Sequence, residues 1–176
     1  MLRSAMGYLA AADVTAMEAA TQAQCLRTLE QLHAIETAAR ASVLGALASS
    51  RAGAGRAGAA DFSSRAWLVR ETGVTAGAAT GHAAWARRAA EHPQVIEALA
   101  EGHLLTESVA RTICTWTDKL PPDCRVAADA ILIVAAKTGA NLRDLAEVFG
   151  GIYTLARPRP GLVPVPEPAV ISAVAI

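Results

Sequence analysis

Four histidines (His33, His82, His92 and His103) and three cysteines (Cys25, Cys114 and Cys124) are the residues that could hold a metal or support nucleophilic chemistry. Zinc sites draw on closely spaced Cys and His, usually as Cys-x-x-Cys or His pairs. None of these cysteines has that spacing, and no histidine pairs with another. His92 is followed by Pro93, and the dipeptide reads as a helix start rather than a ligand, because Pro suits the first helical turn. No nucleophile, base and orienting group cluster along the chain. The sequence therefore predicts no catalytic residue, no metal ligand and no cofactor.

The remaining chemistry is recognition of phosphate by arginine. Residues 51–88 hold six Arg against Asp61 and Glu71, a balance of +4. Residues 89–107 hold Glu91, Glu97, Glu101 and Glu107 with no Lys or Arg, a balance of −4. The whole chain balances 16 basic against 16 acidic residues, which argues against a uniformly basic nucleic-acid binder. The bipolar middle can still steer a partner, although solvated helix faces give the same pattern. Arg65, Arg70, Arg87 and Arg88 bracket a helix-turn-helix and are the expected DNA contacts, weak and without sequence preference. Arg87 and Arg88 lie about 100° apart around a helix, so they do not face one groove together. The competing reading pairs Arg87 with Glu91 along the helix.

Helices must carry these residues. Of 176 residues, 42 are alanine, 53% are hydrophobic and only 4% aromatic. Such a chain is not a disordered polar one, and three cysteines make no disulfide scaffold. No run approaches the ~20 apolar residues of a membrane span, and Asp13 and Glu18 interrupt any signal-peptide core. A cytoplasmic helical domain over residues 1–157 is expected, with no membrane partner.

Within residues 14–48 the segment Thr15-Ala16-Met17-Glu18 has the form of a capping box, predicting a long helix over 16–48. Leu26, Leu29, Leu32, Ile35, Ala39, Val43 and Leu47 follow at spacings of three and four and read as its buried stripe, with His33 and Arg40 solvated. Residues 49–60, SSRAGAGRAGAA, read as a flexible loop; a P-loop would need Lys-Ser/Thr at its end and a strand before it. Residues 61–157 read as a bundle of six helices. Their starts are marked by Asp61-Phe62-Ser63-Ser64, Thr75, Pro93, Thr106, Pro121-Pro122-Asp123 and Asn141, and stops by Gly73, Gly102 and Gly139. Val126, Ala130, Ile131, Ile133 and Val134 are the apolar residues of the fifth. Residues 158–176 begin with a Pro-rich run that should be extended, as a linker or truncated end.

Two of these helix pairs repeat one another. Each reads helix, Gly, short turn, apolar residue, Thr cap, then Ala four residues into the next helix, with a Trp ten residues after the Thr. The pairs are Gly73–Thr75–Ala79–Trp85 and Gly102–Thr106–Ala110–Trp116. Glycine permits the left-handed turn, and the small Ala lets the helices cross closely. Such pairs either place a helix in a DNA groove or simply pack as a bundle. The helix after Thr75 offers only Thr80 and His82 early as base readers, and that after Thr106 opens with Glu107, which phosphates repel.

Ser64-Arg65-Ala66-Trp67-Leu68, Thr72-Gly73-Val74-Thr75 and Ala100-Glu101-Gly102-His103-Leu104-Leu105-Thr106, with Ala110-Arg111 following, carry a resemblance. In order and spacing they resemble the helical domain of unknown function 222, which precedes an HNH endonuclease domain in actinobacterial 13E12-repeat proteins. The resemblance spans about residues 20–157. The helices and the repeat themselves predict an all-α multi-helix bundle with a long N-terminal helix and two tandem helix-turn-helix-like pairs, and the family has helices at the same places. The resemblance implies a nuclease domain in the full-length protein, of which this chain looks like the N-terminal part or a truncated copy. Two departures stand out. The helix after Thr75 is poor in charge where many members are Arg-rich, and the His and Cys residues of an HNH site are missing. The expectation is a non-catalytic accessory module that helps position a nuclease on DNA or mediates assembly. The alternative is a protein-interaction or oligomerisation bundle with no nucleic-acid role.

Overall fold

A computed structural model describes residues 2–53 and 62–156, and these form an all-α bundle with no strand among them. The helices are α1 (Leu2–Ala11), α2 (Ala19–Gly53), α3 (Ser64–Thr72), α4 (Ala76–Glu91), α5 (Pro93–Ala100), α6 (Glu107–Thr117), α7 (Pro122–Lys137) and α8 (Leu142–Ala156). A short 3-10 helix, Val14–Ala16, lies between α1 and α2. Residues 54–60 of the loop expected over 49–60, and the extended tail expected over 158–176, fall outside the described residues.

The local stop and start signals act as expected. Ser63, Thr75 and Thr106 each accept a backbone N–H three residues on, at 3.2, 3.3 and 3.4 Å. Asn141 accepts from the amides of Arg143 and Asp144 at 2.8 and 3.2 Å, while Asp144 reaches back to the Asn141 N–H at 3.0 Å. Gly73, Gly102 and Gly139 all have positive φ.

The start of α2 differs. Thr15 does not cap it, because its hydroxyl donates to Asp13 at 2.6 Å and its amide to the same oxygen at 3.1 Å. Those bonds hold the Asp13 carboxyl below its usual range. Glu18 takes the cap position, its carbonyl accepting from Gln22 N–H at 3.0 Å. At the other end α2 continues through Gly53, so residues 49–53 are helix rather than loop. Adding a turn to an anchored helix costs little compared with nucleating one, and Arg51 suits the negative C-terminal end.

The expected stripe of α2 is also out of phase. Leu26, Leu29, Ile35 and Val43 are exposed; Ala34, Thr37, Ala38, Ala41 and Leu44 are buried. The reason is the partner: α2 lies chiefly against α4, itself alanine-rich, and then against α5. Small residues on both sides let the axes approach, so alanine rather than leucine marks the inner face. A Cβ on Gly45 would lie 3.9 Å from the Ala86 carbonyl oxygen of α4. In α7, Val126, Ile131 and Val134 are exposed, and Ala128, Asp129, Leu132 and Ile133 face inward.

The repeat has a structural counterpart in α3–α4 and α5–α6. Ala79 and Ala110, equivalent in the repeat, are both fully buried. Trp85 is buried and Trp67 and Trp116 are partly so. The pairs diverge in use: Trp85 donates from Nε1 to Glu107 Oε1 at 2.8 Å, whereas Trp116 stacks on Phe149 of α8 with ring centroids 5.6 Å apart.

Candidate nucleic-acid interface and a buried histidine

Arg65 stands in the first turn of α3 and Arg87 in the last two turns of α4. The packing of α3 and α4 on α2 brings both to one open groove of about 710 Å³. Its walls are otherwise alanine, serine and glycine, including Ala41, Gly45 and Ser49 of α2 and Ser63 and Ser64 at the start of α3. A second groove of about 370 Å³ on the other side of Arg65 is lined by Arg70, Val69 and Ala76. No described carboxylate lines either groove. The amino end of α3 opens onto both, and a helix amino end favours anions.

Arg65 thus shares one groove with Arg87 and the other with Arg70, and Arg88 lines neither. Arg88 turns away and stacks its guanidinium 5.3 Å from the centroid of the Trp85 ring. Arg70 is drawn to its neighbour, with Nε 2.6 Å from Glu71 Oε1. Arg65 and Arg87 form no ion pair with any described residue, so the Arg87–Glu91 pairing weighed from the sequence is not made.

The two early base readers of α4 are engaged elsewhere. The Thr80 hydroxyl donates to the Ala76 carbonyl at 2.8 Å. His82 accepts from Arg40, which also pairs with Glu36. Burial and the Arg40 charge lower the His82 pKa, keeping the ring a neutral acceptor. Arg40 is thus partly buried and committed rather than solvated.

The sequence reading of His92 as a helix start holds for its backbone alone. His92 is the entire joint between α4 and α5: its N–H donates to Arg88 O at 2.7 Å, and its carbonyl accepts from Val95 and Ile96 at 3.1 and 3.2 Å. Its side chain is completely buried. Nδ1 lies 2.8 Å from Asp129 Oδ2 of α7, and Nε2 lies 3.1 Å from Asp118 Oδ1 just after α6. Thr117 donates to the other Asp129 oxygen at 2.7 Å. Burial pulls the His92 pKa down, but Asp129 and then Asp118 outweigh it, so the pKa rises above the ordinary histidine value. Cys114 beside this network is buried, and burial together with the Asp129 charge pushes its thiol up to about 12, so it is no thiolate at neutral pH.

His92 and Asp129 are 37 residues apart, so spacing alone gives no hint of their contact. The available signal was Asp129 itself. It shares the inward side of α7 with Leu132 and Ile133, and a carboxylate placed there needs a hydrogen-bonded partner.

No helix among the described residues is long and apolar enough to cross a membrane. No family model, curated protein or solved structure matches the chain.

Proposed function

We propose that this chain is a non-catalytic helical accessory module of the HNH-endonuclease-associated kind, contacting the phosphate backbone of duplex DNA weakly and without sequence preference. The observation that supports it is the meeting of Arg65 and Arg87, both free of ion pairs among the described residues, on one groove with no described carboxylate in its walls. Small walls let a phosphate chain approach the guanidinium groups, and Arg70 extends the basic face through the adjoining groove. Base readout has little to work with, since α4 opens with Ala76, Gly77, Ala78 and Ala79. Phosphate contacts position a protein but carry no sequence information.

The test is fluorescence anisotropy with a mixed-sequence duplex across a salt series. Two or three phosphate contacts give a log–log salt slope of roughly −2 to −3. The Arg65→Ala/Arg87→Ala variant, shown folded by circular dichroism, should lose most of the low-salt affinity. Equal affinity in that variant rejects the site. The unmutated chain should cleave no DNA with Mg²⁺, Mn²⁺ or Zn²⁺.

A second reading, an assembly module with no nucleic-acid role, is favoured by one observation. Leu26 and Val43 of α2 are 66% and 69% exposed, and Val126, Ile131 and Val134 of α7 are uncovered as well. Absence of any DNA binding at low salt, together with self-association in sedimentation equilibrium, would select it.

A further inference from the structure

Glu91, His92 and Asp118 each bring one potential ligand atom to the same place, all within 4.8 Å of one another. We propose that these three residues bind a divalent transition-metal ion of the zinc type. The histidine distinguishes the cluster from a chance meeting of exposed carboxylates. Its ring is fully buried, and Asp129, 1% exposed, stands 2.8 Å from Nδ1. Asp129 is itself held by the Thr117 hydroxyl, outside the trio of ligands. A carboxylate accepting the Nδ1 proton fixes the tautomer and presents Nε2 as the ligand nitrogen, the arrangement that stands behind zinc-bound histidines.

The distances agree with such an ion. Two ligands at ~2.0–2.1 Å from a tetrahedral zinc lie roughly 3.3 Å apart. Nε2 and Asp118 Oδ1 are already 3.1 Å apart. Binding replaces the proton between them, so this edge of the site needs little rearrangement, and the exposed Glu91 closes in from within 4.8 Å. Charge favours it too. Glu91, Asp118 and Asp129 surround one imidazole, and Arg125 approaches this group only at 4.0 Å, from Nη1 to Asp118 Oδ1. Glu91 has no ion-pair partner among the described residues, since Arg87 leaves it free. One imidazole and two carboxylates, with no thiolate, suit Zn²⁺ or Co²⁺ rather than a soft ion such as Cu⁺. Water completes the coordination, and the ion fastens the α4–α5 joint to the end of α6.

The test is titration of the full chain with Co²⁺, followed by its visible d–d absorption, with Zn²⁺ as competitor and thermal melting in parallel. Expected are one equivalent bound, displacement by Zn²⁺, and a Tm that rises with the logarithm of Zn²⁺ concentration. Glu91→Gln/Asp118→Asn should abolish all three. Cys25→Ser/Cys124→Ser and His33→Ala/His103→Ala, which remove other accessible ligands, should retain them. Should Asp118→Asn lower the metal-free Tm, Glu91→Gln alone decides. It should leave the metal-free Tm unchanged and weaken Co²⁺ roughly tenfold or more, since even outer-shell partners contribute 10–100-fold. Absence of saturable binding, binding that persists in the Glu91 and Asp118 variants, or its loss in the cysteine or histidine controls overturns the proposal.

Discussion

Trp85 of α4 and Glu107 of α6 are joined by a 2.8 Å hydrogen bond from the indole Nε1 to Oε1, which links the two repeated helix pairs. Arg111, one turn on, donates to the same carboxylate oxygen. Trp85 therefore fills the core and satisfies a charge with one side chain.

Trp85→Phe keeps most of the apolar filling and deletes the bond. The expected loss is about 1.5–3 kcal/mol, the range for a hydrogen bond to a charged group. Urea unfolding of the variant measures it. An unchanged midpoint would mean that water replaces the indole at no cost.

Glu107 should make stability depend on acid pH. Burial raises its pKa, but the hydrogen bonds from Arg111 and Trp85 outweigh burial and leave it lowered. A folded pKa below the unfolded one gives stability that is fully present above the unfolded value and disappears as pH falls through the folded value. The loss thus lies in the acid range, beginning near the ordinary glutamate pKa and proceeding downward. Melting curves of the Glu107→Gln variant should lack this part of the acid limb, while an identical limb would assign it to other carboxylates.

Asp129→Ala should be among the most damaging single changes in the bundle. It removes the carboxylate from Nδ1 of a buried imidazole, leaving Thr117 only its bonds to backbone carbonyls, and breaking a buried charged pair costs about 3–5 kcal/mol. The double variant with His92→Ala should cost less than the two singles added together. A double-mutant cycle by chemical denaturation reads that coupling, and strict additivity would deny that the two residues act as a pair.

Gly102 and Gly73 occupy equivalent turns at φ +74° and +69°, yet a Cβ fares differently in the two. At Gly73 it meets nothing within 4 Å; at Gly102 it falls 2.6 Å from Ile35 Cδ1 and 3.1 Å from the Gln31 carbonyl oxygen. Both alanine variants carry the left-handed penalty of ~1–2 kcal/mol, and Gly102→Ala should lose a further ~1–3 kcal/mol to overpacking. Ile35→Ala in the Gly102→Ala background should recover part of that extra loss. Equal costs at the two glycines would show that the α5–α6 turn moves away from α2.

Outside α2, helix ends were legible in the sequence because the forces that set them are local. Thr75, Thr106 and Asn141 cap amides three residues or fewer away, and Gly73, Gly102 and Gly139 need only their own backbone angles. Which face of a helix is buried depends on its partner, and there the reading failed. On α2 the eye follows Leu, Ile and Val, whereas close packing against α4 selected Ala34, Ala38 and Ala41. The arginine groove was half legible. Sequence placed Arg65 and Arg87 around the same helix-turn-helix, but not that Arg88 would be taken by the Trp85 ring. The histidine network was illegible from spacing because three separate segments build it.

The joint at His92 sets a rule of chain length for any relative or engineered version. With one residue between α4 and α5, adding or deleting a single residue there would turn α5 by about 100° relative to α4. That turn would carry Val95, Ile96 and Leu99 off their inward face and draw the imidazole away from Asp129. An insertion or deletion at position 92 should accordingly be refused.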